Sequence, residues 1–170
     1  DMPALPQGTT ADYLSVRYSH PKWLVRRLLA LLGREEAESV LAADNAVAPL
    51  TVQVNTLRTT AAALTARLAD AGVTAAAHSW VPDCLELTGS GDLTELDAFR
   101  EGLFFVQDPA AKLVSLIAAP QKGGRVIDVC AAPGGKSFGA AVAMGDEGEI
   151  LACDLHENKL KRIEEGAARL

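Results

Sequence analysis

Long apolar runs are missing from this 170-residue chain: its longest wholly aliphatic stretch, residues 28–32, falls far short of the ~20 residues a membrane helix needs. Residues 1–7 hold no basic region followed by an apolar run, so no export signal is read there. Together these absences make the cytoplasm the expected location. Cysteine is scarce too. The three present, Cys84, Cys130 and Cys153, are odd in number and none lies at the short spacing of a zinc knuckle. No metal site is therefore expected, and the thiols read as reduced and mostly buried. Positive charge is also short overall. A formal net charge of −6 argues against unassisted, non-specific nucleic-acid binding.

What is present describes a folded protein. Apolar residues make up 49% and charged residues 22%, a globular rather than disordered balance, in a length that suits one domain or two small ones. The charge is unevenly spread. Arg17, Lys22, Arg26, Arg27 and Arg34 fall within residues 16–34 with no acid among them, while acids gather at 92–97 and 146–149. That basic stretch fits either a solvated helix face or contact with RNA phosphates, the larger part of most nucleic-acid affinity. Trp23 and Tyr18 within it suit either a core or base stacking. His20, His78 and His156 show no ligand spacing.

Residues 1–15 read as a linker, because Pro3 and Pro6 oppose helix and no hydrophobic period is visible. A helix should open at Ser19-His20-Pro21, with Ser19 or His20 as cap and Pro21 in its first turn. Leu24, Leu28, Leu31 and Leu32 form its apolar stripe, Gly33 ends it, and a second helix is expected at 34–43. Alternation at 50–55 predicts a half-buried strand. A helix at 60–71 stopped by Gly72, extended pieces near 75–80, 84–88 and 103–107, and a short helix near 94–100 follow. Residues 49–107 thus read as a small α+β domain. Asp108-Pro109 starts a helix over 109–119, stopped by Pro120. A strand at 125–130, a helix at 136–144, a strand at 149–153 and a last helix from 157 come next, the last with Leu160, Ile163, Ala167 and Leu170 along one side. Strand, helix, strand, helix opens a parallel α/β sheet, the Rossmann-like arrangement. The expected division is 1–48, 49–107 and 108–170.

The densest signal is Asp128-Val129-Cys130-Ala131-Ala132-Pro133-Gly134-Gly135-Lys136-Ser137. A strand ends, a loop of small residues turns, and a helix begins. A ligand can lie against backbone there, and the helix start offers unpaired N–H groups to a carboxylate or phosphate. Asp154, at the end of the next strand, is placed to accept hydrogen bonds from ribose hydroxyls, unless it simply caps the helix after it. The pattern describes a nucleoside bearing an anionic group. A phosphate-binding P-loop requires glycine where Cys130 stands, and the dinucleotide fingerprint requires three spaced glycines that this loop lacks.

The segment 128–137 resembles the cofactor motif of the Sun/Fmu RNA cytosine-5 methyltransferases, and 105–111 (Phe105-Val106-Gln107-Asp108-Pro109-Ala110-Ala111) resembles the family segment just before its donor domain. Ser19-His20-Pro21-Lys22-Trp23-Leu24 and Val54-Asn55-Thr56-Leu57 are similar to its upstream region more loosely. The resemblance implies an S-adenosylmethionine-dependent enzyme acting on ribosomal RNA. It implies that Cys130, Ala131, Ala132, Pro133, Gly134, Gly135 and Lys136 wrap the methionine end of the donor and Asp154 holds its ribose. Asp128 would orient the loop or meet the amino group. Arg17, Lys22, Arg26 and Arg27 are the candidate RNA contacts. In the family one cysteine attacks C6 of cytosine, C5 takes the methyl group, and a second cysteine helps release the product; both lie on later strands. No catalytic residue is therefore expected among these 170, and the polypeptide alone is expected to be inactive. A rival reading is a non-enzymatic RNA-binding module on a methyltransferase-like scaffold. Two strands rarely stand alone. The open edge with Val126, Ile127 and Val129 is therefore expected to cause self-association or to leave the last helix disordered.

Overall fold

The computed structural model describes residues 8–170, so the readings placed on residues 1–7, Pro3 and Pro6 among them, lie outside the described residues. The chain divides into two compact units, Asp1–Ala48 and Pro49–Leu170.

Three helices make the first unit: α1 (Thr10–Arg17), α2 (Lys22–Leu32) and α3 (Arg34–Asp44). Helix α1 stands where a linker was expected. Its signal is local: the Thr9 hydroxyl accepts from the Asp12 N–H, and Asp12 Oδ2 accepts from the Thr9 N–H at 3.1 Å, a reciprocal cap. Eight residues are too few to show a hydrophobic period, and only Ala11 and Leu14 are buried. Helix α2 is turned from the expected stripe. Val25 enters the core with Ala11, Leu14 and Leu41, Leu28 and Leu29 pack on that cluster, and Leu31 is left 70% exposed. Pro21 is the cap residue rather than part of the first turn, and no side chain caps this helix. Gly33, at φ +80°, ends α2 and lets α3 start at the next residue.

The second unit opens with β1 (Leu50–Val54), α4 (Ala61–Asp70), β2 (Thr74–Ala77), β3 (Cys84–Thr88), α5 (Asp97–Arg100) and β4 (Phe104–Val106). The strands lie in the order β2-β3-β1-β4 with every neighbouring pair antiparallel. With its β-α-β-β-α-β sequence, this is the split β-α-β topology of ferredoxin-like domains. One face of β1 supplies Val52 and Val54 to a core with Leu64, Leu68, Leu85 and Phe104. The other face was expected in water, yet Thr51, Gln53 and Asn55 are buried. They are covered because each finds a polar partner. Thr51 Oγ1 donates to Gln107 O at 2.9 Å, Gln53 Nε2 to Cys84 Sγ at 3.2 Å, and Asn55 Nδ2 to the carbonyls of Gly102 and Leu170, both at 2.9 Å.

Helix α6 (Pro109–Ala118) follows, with Asp108 Oδ1 accepting from Ala110 N at 2.7 Å. Then come β5 (Arg125–Asp128), α7 (Gly135–Ala143), β6 (Glu149–Ala152) and α8 (Glu157–Arg169). Strands β5 and β6 pair in parallel with Asp128 opposite Ala152, so the α/β class is as the motif order required. Both strands stop short of their expected ends. The Asp128 carboxylate takes the Cys130 N–H at 3.3 Å and so turns the chain. Helix α8 is formed, although it buries no side chain. Its end is anchored instead. Arg169 Nη1 donates to Phe99 O at 2.8 Å and Phe104 O at 3.0 Å, with the guanidinium 3.8 Å from the Phe99 ring centroid. Among the described residues no helix is long and apolar enough to cross a membrane.

Candidate cofactor-binding site

The C-terminal ends of β5 and β6 bring Asp128, the 130–136 loop and Asp154 together. Asp128 Oδ2 accepts from Ser137 Oγ at 2.8 Å and its Oδ1 from Cys130 N, so this carboxylate spans the loop from its first residue to the first turn of α7. Asp154 Oδ2 accepts from Ala132 N at 3.2 Å, and Oδ1 from His156 N at 3.1 Å. Asp154 therefore does not cap α8; the capping residue there is His156. The His156 N–H above all holds its carboxyl below the usual range; burial opposes it, and the Ala132 N–H adds to the lowering. Each oxygen keeps a lone pair for a further donor.

Gly134 precedes α7 in a left-handed conformation, and no side chain caps the helix. The first-turn N–H groups of α7 thus lack a side-chain acceptor, an arrangement that suits an anionic ligand group. Cys130, Pro133 and Lys136 are exposed along the loop, whereas Ala131 and Gly134 are buried. The small residues serve the protein's own packing first. A Cβ at Gly134 would overlap the Phe138 ring, and one at Gly135 would lie 3.3 Å from Gln107 Nε2. A cleft of about 500 Å³ runs along the open edge of β5, past Asp128, Cys130, Lys136 and Ser137.

The cysteines depart from the expectation of burial. Cys130 and Cys153 are exposed; Cys84 alone is buried. Burial raises the Cys84 thiol above its ordinary value, the opposite of what a nucleophile needs.

The basic residues of the first unit separate into two kinds. Arg17 Nη1 donates to Tyr13 OH at 2.6 Å and its guanidinium lies over the Tyr13 and Tyr18 rings, while Lys22 is paired with Asp12. Arg26 and Arg27 are exposed and have no ion-pair partner among the described residues. Trp23, on the same side of α2, is 67% exposed, whereas Tyr18 is half-buried and donates to Glu38 Oε1 at 3.0 Å.

Two family models match: the "Methyltr_RsmF/B-like, ferredoxin-like domain" over residues 20–94 and "16S rRNA methyltransferase RsmB/F" over 115–170. A probable ribosomal RNA small subunit methyltransferase B of Synechocystis sp. is 38% identical over 151 residues, 88% of this chain and 34% of that protein. The ribosomal RNA small subunit methyltransferase B of Vibrio cholerae is 38% identical over 164 residues, 96% of this chain and 37% of its own. This chain belongs to the RsmB/F methyltransferase family. The crystal structure of a methyltransferase homolog protein from Pyrococcus horikoshii superposes with a TM-score of 0.82 at 29% identity, covering 92% of this chain and 52% of that one. The chain spans about a third of the length of the curated relatives above. Within the RsmB/F family match, the second region takes in the whole 128–137 loop and Asp154. Sequence reasoning named Ser137 and Gln107 only within their motifs, without these contacts, and did not single out Phe138. Phe138 had one available signal: it is the sole aromatic residue in Gly-Lys-Ser-Phe-Gly-Ala-Ala-Val-Ala.

Proposed function

We propose that this chain contributes the RNA-facing helices, the ferredoxin-like domain and the first half of the donor site to an S-adenosylmethionine-dependent RNA cytosine-5 methyltransferase, with ribosomal RNA as substrate in the cytoplasm. One observation carries the reading: an uncapped helix start, reached through a small-residue loop, stands beside a carboxylate hydrogen-bonded to that loop. S-adenosylmethionine supplies an electrophilic methyl group when bound. The residues here fit its two polar ends. The first-turn N–H groups of α7 receive its carboxylate, and Asp154 receives the ribose hydroxyls. Cys130 to Lys136 wrap the methionine end, and Asp128 holds the loop in register through Ser137 and Cys130 N. None of Cys84, Cys130 and Cys153 is assigned the attack on C6.

RNA contact falls chiefly to Arg26 and Arg27, with the exposed Trp23 on the same helix as a stacking surface. Arg17 and Lys22 are committed within the unit and support the face rather than form it. The exposed Trp23 also favours a second reading, a non-enzymatic RNA-binding module. Calorimetric titration of the 170-residue chain with S-adenosylmethionine, with ATP and with RNA, each separately, decides between them. Saturable binding of S-adenosylmethionine and none of ATP supports the donor site. Binding of RNA alone supports the module, and ATP binding alone overturns both.

A further inference from the structure

We propose that Phe138 is a positioning residue for the donor loop, a wedge through which β4 and α8 set the loop's shape; its catalytic relevance rests on reading 130–136 as the donor site. The ring is clasped between two glycines from distant parts of the chain. A Cβ at Gly134 would overlap it, and one at Gly166, in α8, would lie 2.7 Å from Cε2 with Cζ closer still. Phe105, a buried residue of β4, meets the same ring edge-on, with centroids 6.0 Å apart and an interplanar angle of 80°. Residue 107, two further along and on the same side of the segment, does the same for the next glycine: the Gln107 side chain lies against Gly135.

Both loop glycines therefore rest on groups held by β4. The Gln107 amide is buried and neither of its polar atoms has a hydrogen-bond partner among the described residues, so fit against Gly135 and Gly139, not bonding, fixes it. Gly134 tolerates no other residue on its backbone alone, at φ +115°. Gly166 is different. It lies inside a regular helix, where alanine is ordinarily the better residue. Only the Phe138 ring forbids it. A methyl group at 166 must displace the ring that also bounds Gly134 and so disturb the N–H groups offered to a ligand, and binding geometry of this kind tolerates ~0.5 Å.

The test is Gly166→Ala, alone and combined with Phe138→Leu, read by amide hydrogen exchange of residues 131–136 without ligand and by titration with S-adenosylmethionine. Gly166→Ala is expected to speed loop exchange and weaken S-adenosylmethionine each by on the order of tenfold, with protection of β1 and β3 unchanged. The double variant should return both to near the parent values. Phe105→Leu, which does not touch the loop, should raise loop exchange in the same sense. A Gly166→Ala chain with parental loop exchange, or one that simply melts higher as an ordinary helix substitution does, overturns the wedge. So does a uniform loss of protection across the chain, or a failure of Phe138→Leu to rescue. If the parent chain does not bind S-adenosylmethionine, the donor reading falls, and the exchange measurements still decide whether Phe138 sets the loop.

Discussion

Asp154 holds the loop, and separate substitutions can tell that contact from the ribose contact proposed for it. Asp154→Ala removes the acceptor for Ala132 N as well as the expected ribose acceptors, so the loop and the ligand are disturbed together. Asp154→Asn keeps one carbonyl oxygen for the loop and loses the charge. Alanine should weaken S-adenosylmethionine on the order of tenfold or more, asparagine less, with loop exchange altered only by alanine. Calorimetry that finds both variants binding like the parent removes Asp154 from the site. Gly134→Val should fail for a different reason than ligand contact: its side chain meets Phe138 before any donor, so melting temperature and binding should fall together. In the first unit, Asp12 is the acid-sensitive residue. Its hydrogen bond with Lys22, then that with Thr9, lowers its carboxyl from 3.8 to about 2. Because the folded value is the depressed one, its stabilisation is complete above the unfolded value and is lost as pH falls from about 3.8 toward 2. Resonances of α1 and the start of α2 should shift in that window, and the step should vanish in Asp12→Asn. Residues with local roles were the legible ones: Asp108 as a cap, and Asp128 with the small-residue loop as the turn from strand to helix. Phe138 and Gln107 act only through contacts with segments far along the chain, and no local period marks such contacts.

At the scale of elements, legibility followed the length of the local pattern. Strand β3 and helices α3 and α4 fell within a residue or two of their expected bounds, because turn glycines and the Thr60 cap punctuate them. Helix α1 was missed because its two-residue apolar face gives no period, although Thr9-x-x-Asp12 announces the cap. Strand β1 was found, but its polar face was misjudged. Alternation reports the chemistry of each face and not its exposure. Asn55 is the sharpest case: fully buried, it donates to Gly102 O and Leu170 O and accepts from Leu57 N at 3.2 Å. Asn55→Ala leaves those groups without partners, at about 1–3 kcal/mol for each one that stays buried. We expect chemical denaturation to show a loss of about 2 kcal/mol or more, with faster exchange at the C-terminal turn of α8. A chain as stable as the parent would mean that water replaces the amide at no cost.

The whole molecule leaves one face uncovered. Parallel strands are ordinarily covered on both sides, yet on the pair β5 and β6 Ile127 is 66% exposed and Leu151 55%, with Val129 at 70% just beyond. Sequence alone allowed two outcomes for the isolated chain, association through that surface or a disordered last helix. The anchoring of Arg169 on Phe99 O and Phe104 O removes the reason for the second, since α8 does not depend on a complete sheet for its end contacts. Association through an apolar face with an open strand edge beside it is the other expectation, and it has a direct test. Sedimentation velocity on the 170-residue chain should show weight-average mass rising with concentration. Ile127→Lys together with Leu151→Lys should return it to a monomer without loss of helix, because neither side chain contributes to the buried core. A monomer at every concentration, with amides of 126–170 strongly protected, would show that two strands and one anchored helix hold this half of the unit without further cover.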